Sequence, residues 1–247
     1  WLATVVVSGI SYLSYLLKRY VFHESGTLVS GIIGGLYSST ATISVLARKS
    51  RKASEQEATD YVAAMLLAVS MMFLRFMILI LIFSREIFLS IYPYLLTMAV
   101  VAAIVAWFIH SRQKRPEDQS AETEEDDSSN PLEFKVALIF AVLFVIFTFL
   151  THYTLVYAGT GGLNLLSFVS GFSDITPFIL NLLQNTGSVA ALIITACSMQ
   201  AIISNIMVNM FYALFFAGKG SKLRPWILGG FGVVIACNLV LLLFFYI

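Results

Sequence analysis

Residues 61–84 read YVAAMLLAVSMMFLRFMILILIFS, and their character decides the class of the molecule. The stretch is apolar on every side and carries one charge, Arg75. A helix crosses the roughly 30 Å hydrocarbon core with about 20 such residues. Strands of a membrane barrel would instead alternate over about ten residues. Outward from this run lie seven more: Leu2–Leu17, Leu28–Ala47, Ile87–His110, Phe134–Ala158, Asn164–Leu183, Ser188–Ala217 and Pro225–Ile247. The expected fold is all-α, a polytopic membrane protein of about eight spans.

Composition agrees. Of 247 residues, 59% are hydrophobic and 12% charged, against about 45–50% and about 25% in soluble domains. The mean hydropathy of +0.87 excludes an ordinary soluble enzyme and a disordered chain. Fifteen Lys+Arg against fourteen Asp+Glu leave a net charge of +1, so no global field recruits nucleic acid. Cys197 and Cys237 fall inside apolar runs, where a thiol behaves as a small hydrophobe. No CxxC or Cys/His cluster has metal-ligand spacing, so no metal is expected. The chain opens on Trp1 rather than Met, and it is expected to begin part-way through a longer protein. No charged leader precedes Leu2, so the first run does not read as a signal peptide.

Basic residues sort the loops. One face gathers Arg48, Lys49, Arg51, Lys52, Arg112, Lys114, Arg115 and Lys135; the other has Lys18, Arg19, Arg85, Lys219, Lys222 and Arg224. The larger set is expected in the cytoplasm, together with both termini. Between the fourth and fifth runs, residues 112–133 include Glu117, Asp118, Glu122, Glu124, Glu125, Asp126 and Asp127. Such a block repels itself and stays solvated, so it reads as a flexible acidic linker.

That linker separates residues 1–111 from 134–247, four runs on each side. The halves share a short pattern. Gly35-Leu36-Tyr37-Ser38-Ser39-Thr40-Ala41-Thr42-Ile43 parallels Gly171-Phe172-Ser173-Asp174-Ile175-Thr176-Pro177-Phe178-Ile179. Two similar four-helix halves are expected, and the even number of spans makes them parallel rather than inverted.

The segment Gly34-Gly35-Leu36-Tyr37-Ser38-Ser39-Thr40-Ala41-Thr42, closing in Leu46-Ala47-Arg48-Lys49-Ser50-Arg51, resembles a known family. It is similar to the membrane domain of unknown function found C-terminal to MgtC/SapB-type domains in bacterial and archaeal proteins. Met72-Phe73-Leu74-Arg75 and Gly171-Phe172-Ser173-Asp174 resemble two further motifs of that family. The family continues with a second acidic residue after Asp174, whereas Ile175, Thr176 and Pro177 follow here. The resemblance implies a bacterial inner-membrane protein, with an MgtC-like domain or subunit as a partner.

Charges inside a bilayer are costly, from about 2.5 to more than 10 kcal/mol. Arg75 and Asp174 are the two clear cases. Arg75 lies roughly 14 Å from the end of its run at Ser84, and Asp174 roughly 15 Å from the start of its own at Asn164. A pair or a shared polar cavity is expected; the alternative is that Arg75 snorkels and Asp174 caps a broken helix. Ser38, Ser39, Thr40 and Asn205 fall at the same depth, roughly 12–18 Å from that face. Gly34, Gly35 and Gly171 weaken their helices, and Pro177 removes the amide that would pair with the Ser173 carbonyl. Interrupted spans at matching places in two halves are a pointer to a transport site. The glycines Gly31 and Gly35 fit close helix packing equally well.

No zincin His pair, Walker spacing or Gly-x-Ser-x-Gly elbow occurs, so neither an enzyme nor a cofactor is expected. The expected function is a membrane transporter or permease domain for a small solute or ion. A non-transporting sensor, anchor or regulator of an MgtC-like partner is the alternative.

Overall fold

The computed structural model describes residues 26–51, 53, 55–112, 134–184, 189–218 and 221–246, together with Val5 and Gly9. The expected first span, Leu2–Leu17, and the acidic linker beyond Arg112 lie outside the described residues. Among the described residues the secondary structure is entirely helical. In chain order the helices are α1 (Thr27–Lys49), α2 (Glu55–Phe83), α3 (Arg85–Ser111), α4 (Phe134–Ser170), α5 (Ile175–Gln184), α6 (Ala191–Ala217) and α7 (Arg224–Tyr246). Six helical stretches are long and apolar enough to cross a membrane. The molecule is a multi-pass helical membrane protein.

The apolar runs set these helices, and their flanks set the ends. Ser84 stops α2 and caps α3, its hydroxyl accepting from the Ile87 amide at 3.4 Å. Helix α2 begins before its apolar run, at Glu55, because Glu55–Asp60 form a polar first turn. Asp60 there takes His110, at the end of α3, at 2.7 Å.

Helices α2 and α6 form the centre. Helix α2 packs against α1, α3, α5 and α7, and α6 against α1, α3, α4, α5 and α7. Both therefore carry long rows of fully enclosed side chains, from Val62 to Ile80 in α2 and from Ile194 to Ala213 in α6. Small residues bring α1 onto α2. A Cβ added at Gly31 or Gly35 would strike the backbone of Ala64 or Ala68, one turn apart on the facing helix. Polar cross-links are few. The Tyr94 hydroxyl donates to Asn238 Oδ1 between α3 and α7, where both residues are buried.

One expected span takes a different form. The run Asn164–Leu183 is not a continuous helix: Gly161–Ser170 and Ile175–Gln184 are separate short apolar helices, broken at Gly171–Asp174. The break precedes Pro177 instead of arising from it. Pro177 sits in the first turn of α5, where a missing amide forfeits no intrahelical bond.

Upstream, α4 turns at Gly159, whose φ of 58° and ψ of −149° belong to a region essentially reserved for glycine. No neighbouring atom lies within 4 Å of a Cβ built there, so the constraint is torsional alone. Gly159→Ala is expected to cost about 1–3 kcal/mol in thermal or denaturant unfolding. The same change at Gly232, where a Cβ also meets nothing within 4 Å, is expected to be silent or slightly stabilising.

Candidate functional site

The second interruption lies in α1. Ser38 leaves the helix with φ −157° and ψ 108°, midway between Thr27 and Lys49. Its hydroxyl then caps the resumed helix, accepting from the Ala41 amide at 3.3 Å. Asp174 does the same for α5, its Oδ1 accepting from the Thr176 amide at 2.9 Å. Ser38 and Asp174 are the aligned residues of the shared pattern. Each break is thus a helix stop followed by a side-chain N-cap.

The breaks meet across one polar cavity of about 390 Å³. Ser38, Ser39, Thr40, Arg75, Asp174 and Asn205 all line it, as do Gly35 and Gly171. Gly34 and Pro177 are not among its lining residues. A Cβ at Gly34 would instead strike the Thr42 side chain, which folds back over the break. The apolar part of the wall includes Met72 and Phe76 from α2, and Val208 and Tyr212 from α6.

Arg75 holds the two broken segments together. Its Nη1 donates to the Tyr37 carbonyl at 2.7 Å, on the edge of the α1 break. Its Nη2 donates to Thr176 Oγ1 at 3.2 Å, in the first turn of α5. The guanidinium is buried, at 8% exposure, and its Nε has no hydrogen-bond partner. Three of its five N–H bonds remain beyond the two just named.

Of the pair or shared polar cavity expected for Arg75 and Asp174, the structure has the shared cavity and not the direct pair. No ion pair joins them; Asp174 turns one carboxylate oxygen to the α5 cap while Arg75 takes a carbonyl and a hydroxyl. Asp174 is exposed where the cavity opens, rather than enclosed in the bundle as expected. Thr176 bridges the two charges, its hydroxyl accepting from Arg75 and its amide donating to Asp174.

On the far wall, Asn205 Nδ2 donates to the Gly171 carbonyl at 3.2 Å, and Asn209 Nδ2 to Asn205 Oδ1 at 3.1 Å. Ser204 donates to the Phe168 carbonyl at 2.6 Å. The first of these bonds takes up the Gly171 carbonyl at the second break, and the Ser204 bond adds to the Gly171 amide at the Phe168 carbonyl. Asn209 Oδ1 is itself buried without a partner. The role of Asn209 as support for Asn205 was readable only as an i,i+4 amide pair on one helix face.

Glycine contacts give the two breaks one register. A Cβ at Gly35 would strike Ala68, and one at Gly171 would strike Ser204 and the Asn205 amide. The same sequence offset relates Gly35 to Gly171 and Ala68 to Ser204. It also relates Met72 to Val208 and Phe76 to Tyr212 across the cavity.

A latch at one end of α1 involves the basic cluster. Arg51 donates through Nε to the Phe216 carbonyl and through Nη2 to the Phe215 carbonyl at 3.3 Å, capping the end of α6. Arg48 lies over the Phe216 ring at 4.3 Å. The latch puts the end of α6 and the start of α7 on the same face as Arg48 and Arg51, whereas Lys222 and Arg224 were expected on the opposite one.

No solved structure matches the chain. An uncharacterized protein of Aquifex aeolicus (strain VF5) is 25% identical over 227 residues, covering 90% of this chain and 96% of that protein. Residues 5–217 match the family described as "Domain of unknown function (DUF4010)", a span that takes in both breaks, Arg75 and Asn205, and the chain belongs to that family.

Proposed function

We propose that the chain is a permease domain that carries a small solute or ion across a bacterial inner membrane through the cavity between its two broken helices. The observation that carries this reading is the meeting of both interruptions, at Ser38 and at Gly171–Asp174, on one polar cavity half-way along the helices. Irregular backbone at membrane depth is tolerated where it is buried in protein or lines a wet cavity. Broken spans of this kind also supply both unpaired backbone ends and a natural place for movement.

The shared offset supports a second part of the reading, two similar halves, and these are inverted rather than parallel as expected, because α2 starts beside the point where its counterpart α6 ends. In it the segment around α1–α2 corresponds to the segment from Gly161 through α6. Ser38, Ser39, Thr40, Arg75, Asp174 and Asn205 then form the solute site, with Gly34, Gly35, Gly171 and Pro177 shaping the breaks around it. The cluster Arg48–Arg51 faces the cytoplasm, and α7, which starts beside the α6 end that Arg51 caps, carries Tyr246 to the opposite face instead of the cytoplasmic one expected. The reading makes the chain a carrier and not an enzyme.

Uptake by proteoliposomes holding the purified chain tests it, with labelled amino acids, sugars, inorganic cations and inorganic anions as the panel. Saturable uptake of at least one of these, lost on Arg75→Gln, is the expected result. Uptake no greater than that of empty liposomes for the whole panel would sink the permease reading. A regulatory or anchoring domain would then be the better description.

A further inference from the structure

We infer that the cavity takes a zwitterionic small solute of the α-amino acid class, its carboxylate held at Arg75 and its ammonium at Asp174. The inference rests on the permease reading of the same cavity and adds the class of substrate.

Charge is the first argument. The cavity carries one guanidinium and one carboxylate, and the two are held apart. A lone cation meets Arg75 and a lone anion meets Asp174, each an unfavourable encounter, the stronger one at the buried Arg75. A solute bearing both charges meets a complement at either end.

Geometry is the second. From Arg75 Nη2 to Thr176 Oγ1 is 3.2 Å, and from the Thr176 amide to Asp174 Oδ1 is 2.9 Å. With the short stem of Thr176 between them, the two charges stand at most roughly 9 Å apart. An α-amino acid separates its own charges by roughly 3 Å, and a hydrogen bond of about 2.9 Å at each end brings the span to roughly 9 Å. That span falls at the upper limit of the separation that the Thr176 bridge allows.

Unused valence is the third. Arg75 is buried, yet Nε has no partner and its remaining N–H bonds are not among those already named. Arg75 lines the cavity, and its Nη atoms keep N–H bonds that neither Tyr37 nor Thr176 takes, so an anionic group is the acceptor chemistry that suits them. Two helix N-termini, of the resumed α1 and of α5, begin beside it at Ser39 and Ile175 and favour the same negative end. Asp174 uses one oxygen for the α5 cap, and the residue lines the cavity and is exposed. The volume of about 390 Å³ suits a small solute. Met72, Phe76, Val208 and Tyr212 offer an apolar wall to its side chain.

The test is equilibrium binding to the purified full chain in lipid nanodiscs, with L-alanine and L-leucine as probes beside acetate, methylammonium and glycerol. Saturable binding of an amino acid is expected, with acetate and methylammonium weaker by about tenfold or more, because each offers one charge of the two. Asp174→Asn is the informative variant. Asparagine caps a helix as well as aspartate does, so the fold is retained while the charge is lost. Amino-acid binding should fall by about tenfold or more while acetate binding rises. Arg75→Lys provides a second variant that keeps the positive charge, and it should restore part of the binding that Arg75→Gln abolishes.

Absence of saturable amino-acid binding, or acetate and methylammonium binding as tightly as alanine, would overturn the inference. Amino-acid binding that survives Asp174→Asn in full would overturn it too. Binding without uptake upholds the zwitterion site and removes only the permease reading. Uptake of a polyol or a lone ion, without amino-acid binding, overturns the zwitterion site and leaves permeation standing.

Discussion

Arg75→Gln is expected to reduce solute uptake by at least about tenfold and to lower the unfolding midpoint at the same time. The guanidinium makes charge-assisted bonds to the Tyr37 carbonyl and to Thr176 Oγ1. Each such bond contributes about 1.5–3 kcal/mol in water, and polar contacts between membrane helices average nearer 0.6 kcal/mol. The expected loss of stability is therefore about 1–4 kcal/mol. For a chain of this size that is roughly 2–16 °C in the midpoint.

Glutamine is shorter and reaches one of the two partners, so the break in α1 and the start of α5 come apart. Arg75→Lys separates charge from geometry. Lysine carries the charge but lacks the planar fork that spans a carbonyl and a hydroxyl. Stability in that variant should stay close to the loss seen for glutamine, while uptake partly returns. Equal uptake in Arg75→Gln and the unaltered chain would remove Arg75 from the site.

How much of this was readable beforehand differs from residue to residue. Hydropathy located the long helices because burial in lipid demands apolar side chains, and side chains are what a sequence records. The same applies to the polar residues of the cavity: Ser38, Ser39, Thr40, Arg75, Asp174 and Asn205 share a depth, and depth follows from helical rise.

Backbone partners are invisible to such a reading. Arg75 was expected to seek the acid Asp174, because a carboxylate has a letter in the sequence. The Tyr37 carbonyl it takes exists only because the helix breaks at Ser38. Position of the breaks was harder still. Pro93 sits inside α3, which continues through it, whereas Ser38 ends a helical segment. Neighbours decide: a broken backbone survives where other groups take up its polar atoms. Ser38 has Arg75 beside it and its own hydroxyl as a cap. Likewise, His110 and Asp60 meet at 2.7 Å only because α2 and α3 run side by side. Their signal was two polar residues at the ends of consecutive apolar runs.

Gly171→Leu is expected to remove the folded protein, and Gly35→Leu to do the same. A Cβ at Gly171 has no room: the Ser204 side chain and the Asn205 amide already occupy its place. A Cβ at Gly35 faces the Ala68 backbone, which cannot rotate out of the way as a side chain would. Alanine at either position should cost about 1–3 kcal/mol, the usual penalty for overfilling a packed contact. The three further carbons of leucine must push α2 or α6 away from its broken neighbour. Separation at Gly171 also pulls Asn205 from the buried Gly171 carbonyl and Ser204 from that of Phe168, which keeps the Gly171 amide. Folded proteins hold only about 5–15 kcal/mol in reserve, so the combined loss is expected to show as absence of monodisperse protein after extraction. Ser204→Ala in the Gly171→Ala background should recover little of the cost, because the Ser204 Cβ and, at 2.7 Å, the Asn205 main-chain nitrogen stay in place. At Gly35 the obstacle is likewise main chain, that of Ala68. Melting curves of Gly171→Ala with and without Ser204→Ala check this, and a midpoint restored close to that of the unaltered chain in the double variant would show that the hydroxyl alone is the obstacle.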